Sequence, residues 1–158
     1  MALYLDTETT GLSPSGGDTI VEIAIVNERG AILINTLVNP KRNIPWYASK
    51  VHGISDSMVR SMPTLEDLLP QIGKVISGQK LVIYNAPFDI SFFPNRLKEA
   101  KSIECAMRGF AKILGERPSK LAVAAAHVGH VWTGESHRAL ADTLACRSVW
   151  RWVEKKCN

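Results

Sequence analysis

The chain has 158 residues, of which 46% are hydrophobic and 22% charged, and a formal charge of +4. A single domain over residues 1–158 can bury a core without disulfides or a structural metal, and this balance excludes disordered, collagen-like and membrane-embedded classes. No leader-like segment opens the chain and no apolar stretch could span a bilayer. Cys105, Cys146 and Cys157 lack metal-ligand spacing, so free thiols in a cytoplasmic protein with no membrane partner are expected.

Ala2 to Glu8 reads as a buried strand that runs into Thr9-Thr10-Gly11 and the turn-rich stretch Ser13 to Gly17. Thr19 to Asn27 is a second strand, Asn27-Glu28-Arg29-Gly30 a hairpin turn, and Ala31 to Val38 a third strand closed by Asn39-Pro40. An antiparallel meander results. The period then changes: Thr64 and Asp67 form a capping-box pattern ahead of Leu65, Leu68, Leu69, Ile72, Val75 and Ile76 at helical spacing, with Pro70 as a possible kink. Lys80 to Tyr84 is a fourth strand. Asn85 caps a helix with Pro87 in its first turn, running toward Ala100 and made irregular by Pro94. Helical patterns follow over Glu104 to Leu114 and Leu121 to Val128, and a last helix starts near Ser136 and carries Leu140, Leu144, Val149 and Trp150. The pattern predicts an α/β fold with a mixed sheet flanked by helices.

Charge is unevenly placed, −2 over residues 1–79 and +6 over residues 80–158. Arg147, Arg151 and Lys155 recur at helical spacing and would make one basic stripe, suited to phosphates or simply to solvent.

Asp6 and Glu8 lie two apart at the end of the first strand, so both leave one face within ~7 Å along the strand. Asp89 falls in the first helical turn after the fourth strand, where the helix dipole favours an acid for structural reasons too. Asp142 sits in the last helix five residues after His137; an ordinary pair with Arg138 is its bland alternative. Ionised carboxylates brought to about 4 Å repel by roughly 4 kcal/mol at an effective dielectric near 20. Divalent cations remove that cost, and all-oxygen ligands with open positions favour Mg²⁺ or Mn²⁺ over zinc. His127 and His130 have a His-x-x-His spacing without companion ligands, which points to packing or surface placement.

The ordered segments Asp6-Thr-Glu-Thr-Thr-Gly-Leu12, Val51-His-Gly-Ile-Ser55, Asn85-Ala-Pro-Phe-Asp89 and His137-Arg-Ala-Leu-Ala-Asp142 resemble those of the DnaQ-like, His-type DEDD 3′→5′ exonucleases. The resemblance implies an RNase H-like fold with a five-stranded mixed sheet, a meander plus parallel strands. It implies two Mg²⁺ or Mn²⁺ ions: Asp6, Glu8 and Asp142 would hold one beside the attacking water, and Asp6 would share the second with the substrate phosphate, supported by Asp89 through water. His137 would be the general base. Thr9, Gly11 and Leu12 would meet the terminal 3′-hydroxyl and last bases, His52 and Ile54 the terminal nucleotide, and Asn85 and Phe88 would line the same pocket. Ordinary core packing is the alternative for Leu12 and Ile54.

The family implies a nucleic acid with a free 3′ end as partner, single-stranded DNA first. A homodimer or a polymerase or repair partner would supply processivity. RNA trimming is the alternative substrate reading, since nothing visible reads a 2′-hydroxyl. An RNase H-like endonuclease and a catalytically silent binding module are the further alternatives; the His137 to Asp142 spacing and the full acid set argue against each in turn. One departure is Glu104-Cys105, where many relatives carry an Asp-Thr pair before a helix; it bears on helix capping.

Overall fold

Alternation of side chains along the first strand commits it to two cores at once. In the computed structural model, which describes residues 2–157, Leu3 and Leu5 of β1 (Ala2–Thr9) join one apolar cluster and Ala2 and Tyr4 join the other. β1 lies at the centre of a five-stranded sheet. It pairs antiparallel with β2 (Ile20–Asn27), which pairs antiparallel with β3 (Ile32–Leu37), and it pairs parallel with β4 (Lys80–Ile83) on its other side. β5 (Ser102–Cys105) continues the parallel half, giving the order β3-β2-β1-β4-β5.

Two short helices precede the first long one: α1 (Trp46–His52) and α2 (Asp56–Val59), neither of which the sequence pattern announces. α3 (Leu65–Ile76) covers one face of the sheet with Leu65, Leu68, Ile72 and Ile76. Its start is reciprocal: the Asp67 N–H donates to Thr64 Oγ1 at 3.2 Å and the Thr64 N–H to Asp67 Oδ2 at 2.9 Å. Pro70 is exposed, so its missing N–H frees a carbonyl toward water and α3 continues past it.

The opposite face is covered by α5 (Ala106–Leu114), α6 (Leu121–His127) and α7 (Ala139–Cys157), through Phe110, Ala124, Cys146, Val149 and Trp150. Asp6 and Glu8 follow Tyr4 on this face, so α7 is the element they meet.

Three boundaries depart from expectation. α4 (Ala86–Ile90) stops well short of Ala100, because Pro94 cannot continue a helix and Arg96 and Leu97 take left-handed φ values of 52° and 55°. Phe92, Phe93 and Leu97 still reach the core from those turns. Glu104 and Cys105 are strand, not helix: β5 has four residues, too few for its alternation to show against the helical pattern that follows. α7 begins at Ala139, since His137 has φ 63°, outside any right-handed helix. No helix among the described residues is long and apolar enough to cross a membrane.

Candidate active site

Three elements end at one edge of the sheet, and each brings an acid. β1 supplies Asp6 and Glu8, the first turn of α7 supplies Asp142, and a carboxylate oxygen of each lies within 4.8 Å of the others. Because β4 runs parallel to β1 with Leu5 opposite Ile83, the helix that follows β4 starts beside Asp6 and carries the fourth acid, Asp89. Thr7 points to the other face of β1 and donates its hydroxyl to Asp89 Oδ1 at 2.7 Å. The four acids border a cavity of about 180 Å³ together with Thr7, Tyr84, Asn85, Phe88 and Leu121.

None of these four carboxylates is salt-bridged among the described residues. Burial, then the charges of Asp89, Asp142 and Glu8, holds the Asp6 carboxyl well above the usual carboxylate range. Burial first and Asp142 second push Glu8 up to about 8. Burial raises Asp89 to about 7 against the hydrogen bond from Thr7, and Asp142 is raised by burial while the N–H and charge of His137 pull it down. A set of desolvated, unpaired oxygen donors is what a hard divalent cation takes as ligands. No Cys or His joins it: His130 bonds Ser148 at 2.9 Å and His127 packs edge-on against Phe110 and Trp152.

His137 is exposed and lines neither this cavity nor its neighbour; its N–H donates to Asp142 Oδ1 at 3.1 Å. The residue after it does not pair with Asp142. Arg138 instead forks onto Glu22, with Nη2 to Oε1 at 2.9 Å and Nε to Oε2 at 3.1 Å, and the Ala139 N–H adds a bond to Oε2 at 3.1 Å. Glu22 stands opposite Glu8 in the β1–β2 ladder, so this pair ties the start of α7 to the strand beside the acids. Its signal in the sequence is a lone acid inside the apolar run Ile20 to Val26, because a buried charge needs a partner.

A second cavity, of about 330 Å³, shares Thr7, Glu8 and Phe88 with the first, so the two form one trench. Thr9, Gly11, Leu12 and His52 line it, with Tyr47 and Val51 of α1, and Leu12 is 82% exposed. His52 is nearly buried: Nδ1 accepts from the Ile54 N–H at 3.1 Å, which leaves Nε2–H to donate to the Thr9 carbonyl at 3.2 Å. Burial lowers its pKa, so the neutral ring pins α1 to the end of β1. Gly11 is needed for a close approach, since a Cβ there would lie 2.3 Å from the Asp18 carboxylate that accepts from Thr10 and Ser13.

Ile54 departs from expectation. It is fully buried with Val21, Ile44, Ala48 and Val59 and lines neither cavity, so core packing accounts for it. At the Glu104-Cys105 departure, Cys105 gives no side-chain cap to α5; its thiol donates to the Tyr84 carbonyl at 3.2 Å.

The RNase T family model, described as exonuclease, matches residues 3–149. An uncharacterised exonuclease of Escherichia phage 186, CP81, is 38% identical over 162 residues, covering 89% of this chain and 81% of that one. DNA polymerase III subunit epsilon of Rickettsia felis is 38% identical over 106 residues, with 65% of this chain covering 46% of that protein, less than half its length. Among solved structures, exonuclease X in complex with a 5′-overhanging duplex DNA superposes with a TM-score of 0.77 at 30% identity, over 98% of this chain and 92% of that one.

Two outcomes follow from the site. Carboxyl pKa values raised by folding contribute stability that is complete below the unfolded values near pH 4 and is lost as pH rises through the folded values, about 7 for Asp89 and about 8 for Glu8. Chelator-treated protein therefore melts at progressively lower temperature from pH 5 to pH 8, and the increment restored by Mg²⁺ grows over that range, as thermal scans at each pH will show. Ile54→Ala costs about 2–5 kcal/mol of stability, whereas Leu12→Ala leaves the melting temperature within a degree or two and raises KM for an oligonucleotide; unfolding and kinetics on the two variants separate the roles.

Proposed function

The chain belongs to the RNase T exonuclease family, and from that premise we propose that it removes nucleoside 5′-monophosphates one at a time from the free 3′ end of DNA. The observation that carries this reading is the placement of Asp6, Glu8 and Asp142 within 4.8 Å of one another, with Asp89 beside them, in a trench that Leu12 also lines. The sequence similarity to exonuclease X, solved with DNA, and to a DNA polymerase subunit supports DNA over RNA.

Asp6, Glu8 and Asp142 would hold one Mg²⁺, and Asp6 with Asp89 a second, with Mn²⁺ as a substitute. Bound there, the ions would neutralise the carboxylates and favour both the entering and the leaving oxygen of an in-line displacement at phosphorus. Thr7 fixes the rotamer of Asp89 through its hydroxyl. His137 takes the proton of the attacking water. Its imidazole is exposed and lines neither cavity in the free protein, and catalytic contacts that are loose without substrate commonly tighten when it binds. The Glu22–Arg138 fork holds the His137 and Asp142 segment in register with β1. Backbone groups of Thr9 and Gly11 receive the terminal 3′-hydroxyl, Leu12 abuts the last bases, and Asn85 and Phe88 close the other side; His52 acts through the Thr9 carbonyl that it holds.

Processivity would come from a second copy or from a polymerase or repair partner. The chain's free thiols suit the reducing cytoplasm.

A time course on 5′-labelled single-stranded DNA and RNA oligonucleotides with Mg²⁺ tests the proposal. A stepwise ladder, faster on DNA, absent with Asp6→Ala and with a 3′-blocked end, is expected, and His137→Ala should lower kcat by about 10²–10⁴-fold. Cleavage of a circular strand, or retention of the oligonucleotide with no hydrolysis in Mg²⁺ or Mn²⁺, would overturn it.

A further inference from the structure

The outer face of α1 carries more exposed apolar surface than a solvated helix needs. Trp46 is 75% exposed, Tyr47 54% and Val51 57%. Tyr47 and Val51, one helical turn apart, line the trench together with Glu8 and Phe88. Trp46 and Lys50 form the next ridge outward: the Trp46 and Tyr47 ring centroids are 6.3 Å apart and the Lys50 ammonium lies 5.9 Å from the Trp46 ring.

Three residues before Trp46 lies Asn43, on the wall of a separate cavity of about 320 Å³ whose cations are Lys41, Arg42 and Arg60. Arg42 is paired with Asp18, but Lys41 and Arg60 have no carboxylate partner among the described residues. An apolar trench beside the acids, two exposed rings on the helix that lines it, and a cavity with cations and one acid, Asp56, lined by residues just before and after that helix are thus neighbours in the chain. That sequence of chemistry fits a strand whose bases need faces to stack on and whose phosphates need positive charge.

We propose that Trp46 and Tyr47 are a stacking platform for unpaired bases two and three positions upstream of the 3′ end, with phosphates passing toward Lys41 and Arg60. The proposal rests on the exonuclease reading and deepens it by naming the substrate class, a single-stranded 3′ tail. Bases within a duplex have both faces covered by their neighbours, so a blunt end cannot use the platform. Stacking is indifferent to base identity, which leaves the tail free in sequence.

The test is a cycle between the ring and the bases. Trp46→Ala, Trp46→Phe and wild type are compared on a single-stranded oligonucleotide and on the same oligonucleotide with abasic sites two and three positions from its 3′ end. On the intact strand Trp46→Ala raises KM about tenfold with kcat nearly unchanged, and Trp46→Phe recovers most of it. On the abasic strand the penalty shrinks to less than about twofold.

A penalty equal on both strands, or absent from both, overturns the proposal. So does dissociation of a dimer by Trp46→Ala in sedimentation, which would make the face a protein interface. If wild type hydrolyses neither strand, the exonuclease reading fails separately. The same cycle, read as Kd by anisotropy with Ca²⁺ present, then decides the platform alone, by the same presence or loss of coupling.

Discussion

Repulsion among Asp6, Glu8, Asp89 and Asp142 is the constraint around which this fold is arranged. Burial raises all four carboxyl groups, the charges of neighbouring acids raise Asp6, Glu8 and Asp89 further, and no arginine or lysine is paired to any of the four among the described residues. Glu22 shows that the protein can neutralise an acid when stability is the need. Buried opposite Glu8, it receives a two-pronged guanidinium and a backbone N–H. Two neighbouring glutamates on adjacent strands are thus treated in opposite ways, one satisfied from within the chain and one left without a cation among the described residues. Rigid strands and helix starts, braced by two cores, hold the four acids together, and bound protons relieve a repulsion that would be roughly 4 kcal/mol for each ionised pair at 4 Å.

The supports around the acids have one purpose, to fix the ends of β1 and α7 relative to each other. The parallel pairing of β1 with β4 sets α4 beside Asp6, and the Thr7 hydroxyl crosses from the other face to hold Asp89. At the next step along the chain, neutral His52 ties the Thr9 carbonyl to α1, and Asp18 packs into the space that Gly11 leaves. The trench is therefore a joint between well-packed elements, with exposed apolar groups at its rim. An exposed leucine and two exposed aromatic rings are costly to solubility.

The acids were legible in the sequence through the order of segments that resemble the exonuclease motifs, and local spacing carried part of that. Asp-x-Glu on a strand puts two groups on one face, and a residue in the first turn of a helix that follows a strand lies at the end of the sheet. The meander and the capping box of α3 were legible because their spacing is local. What escaped depends on partners far apart in the chain. Glu22 and Arg138 are 116 residues apart, and only the fold shows that Arg138 turns to Glu22 and not to Asp142. Ile54 stands two residues after a histidine that lines the trench, and the sequence left core packing and substrate contact both open for it until the fold placed it in the core. β5 was hidden because four residues carry too little alternation to compete with the helical pattern beginning at Ala106. α1 and α2 were hidden because seven and four residues hold too few turns to show a period.

The central claim is that the raised carboxyl groups are held for a divalent cation, which must displace their protons to bind. Calorimetric titration of the metal-free protein with Mg²⁺ at pH 7, in two buffers of different ionisation heat, counts those protons. Release of about one proton or more per protein, lost in Asp6→Asn, is the predicted result. Binding with no proton release, or release unchanged by Asp6→Asn, would contradict the account.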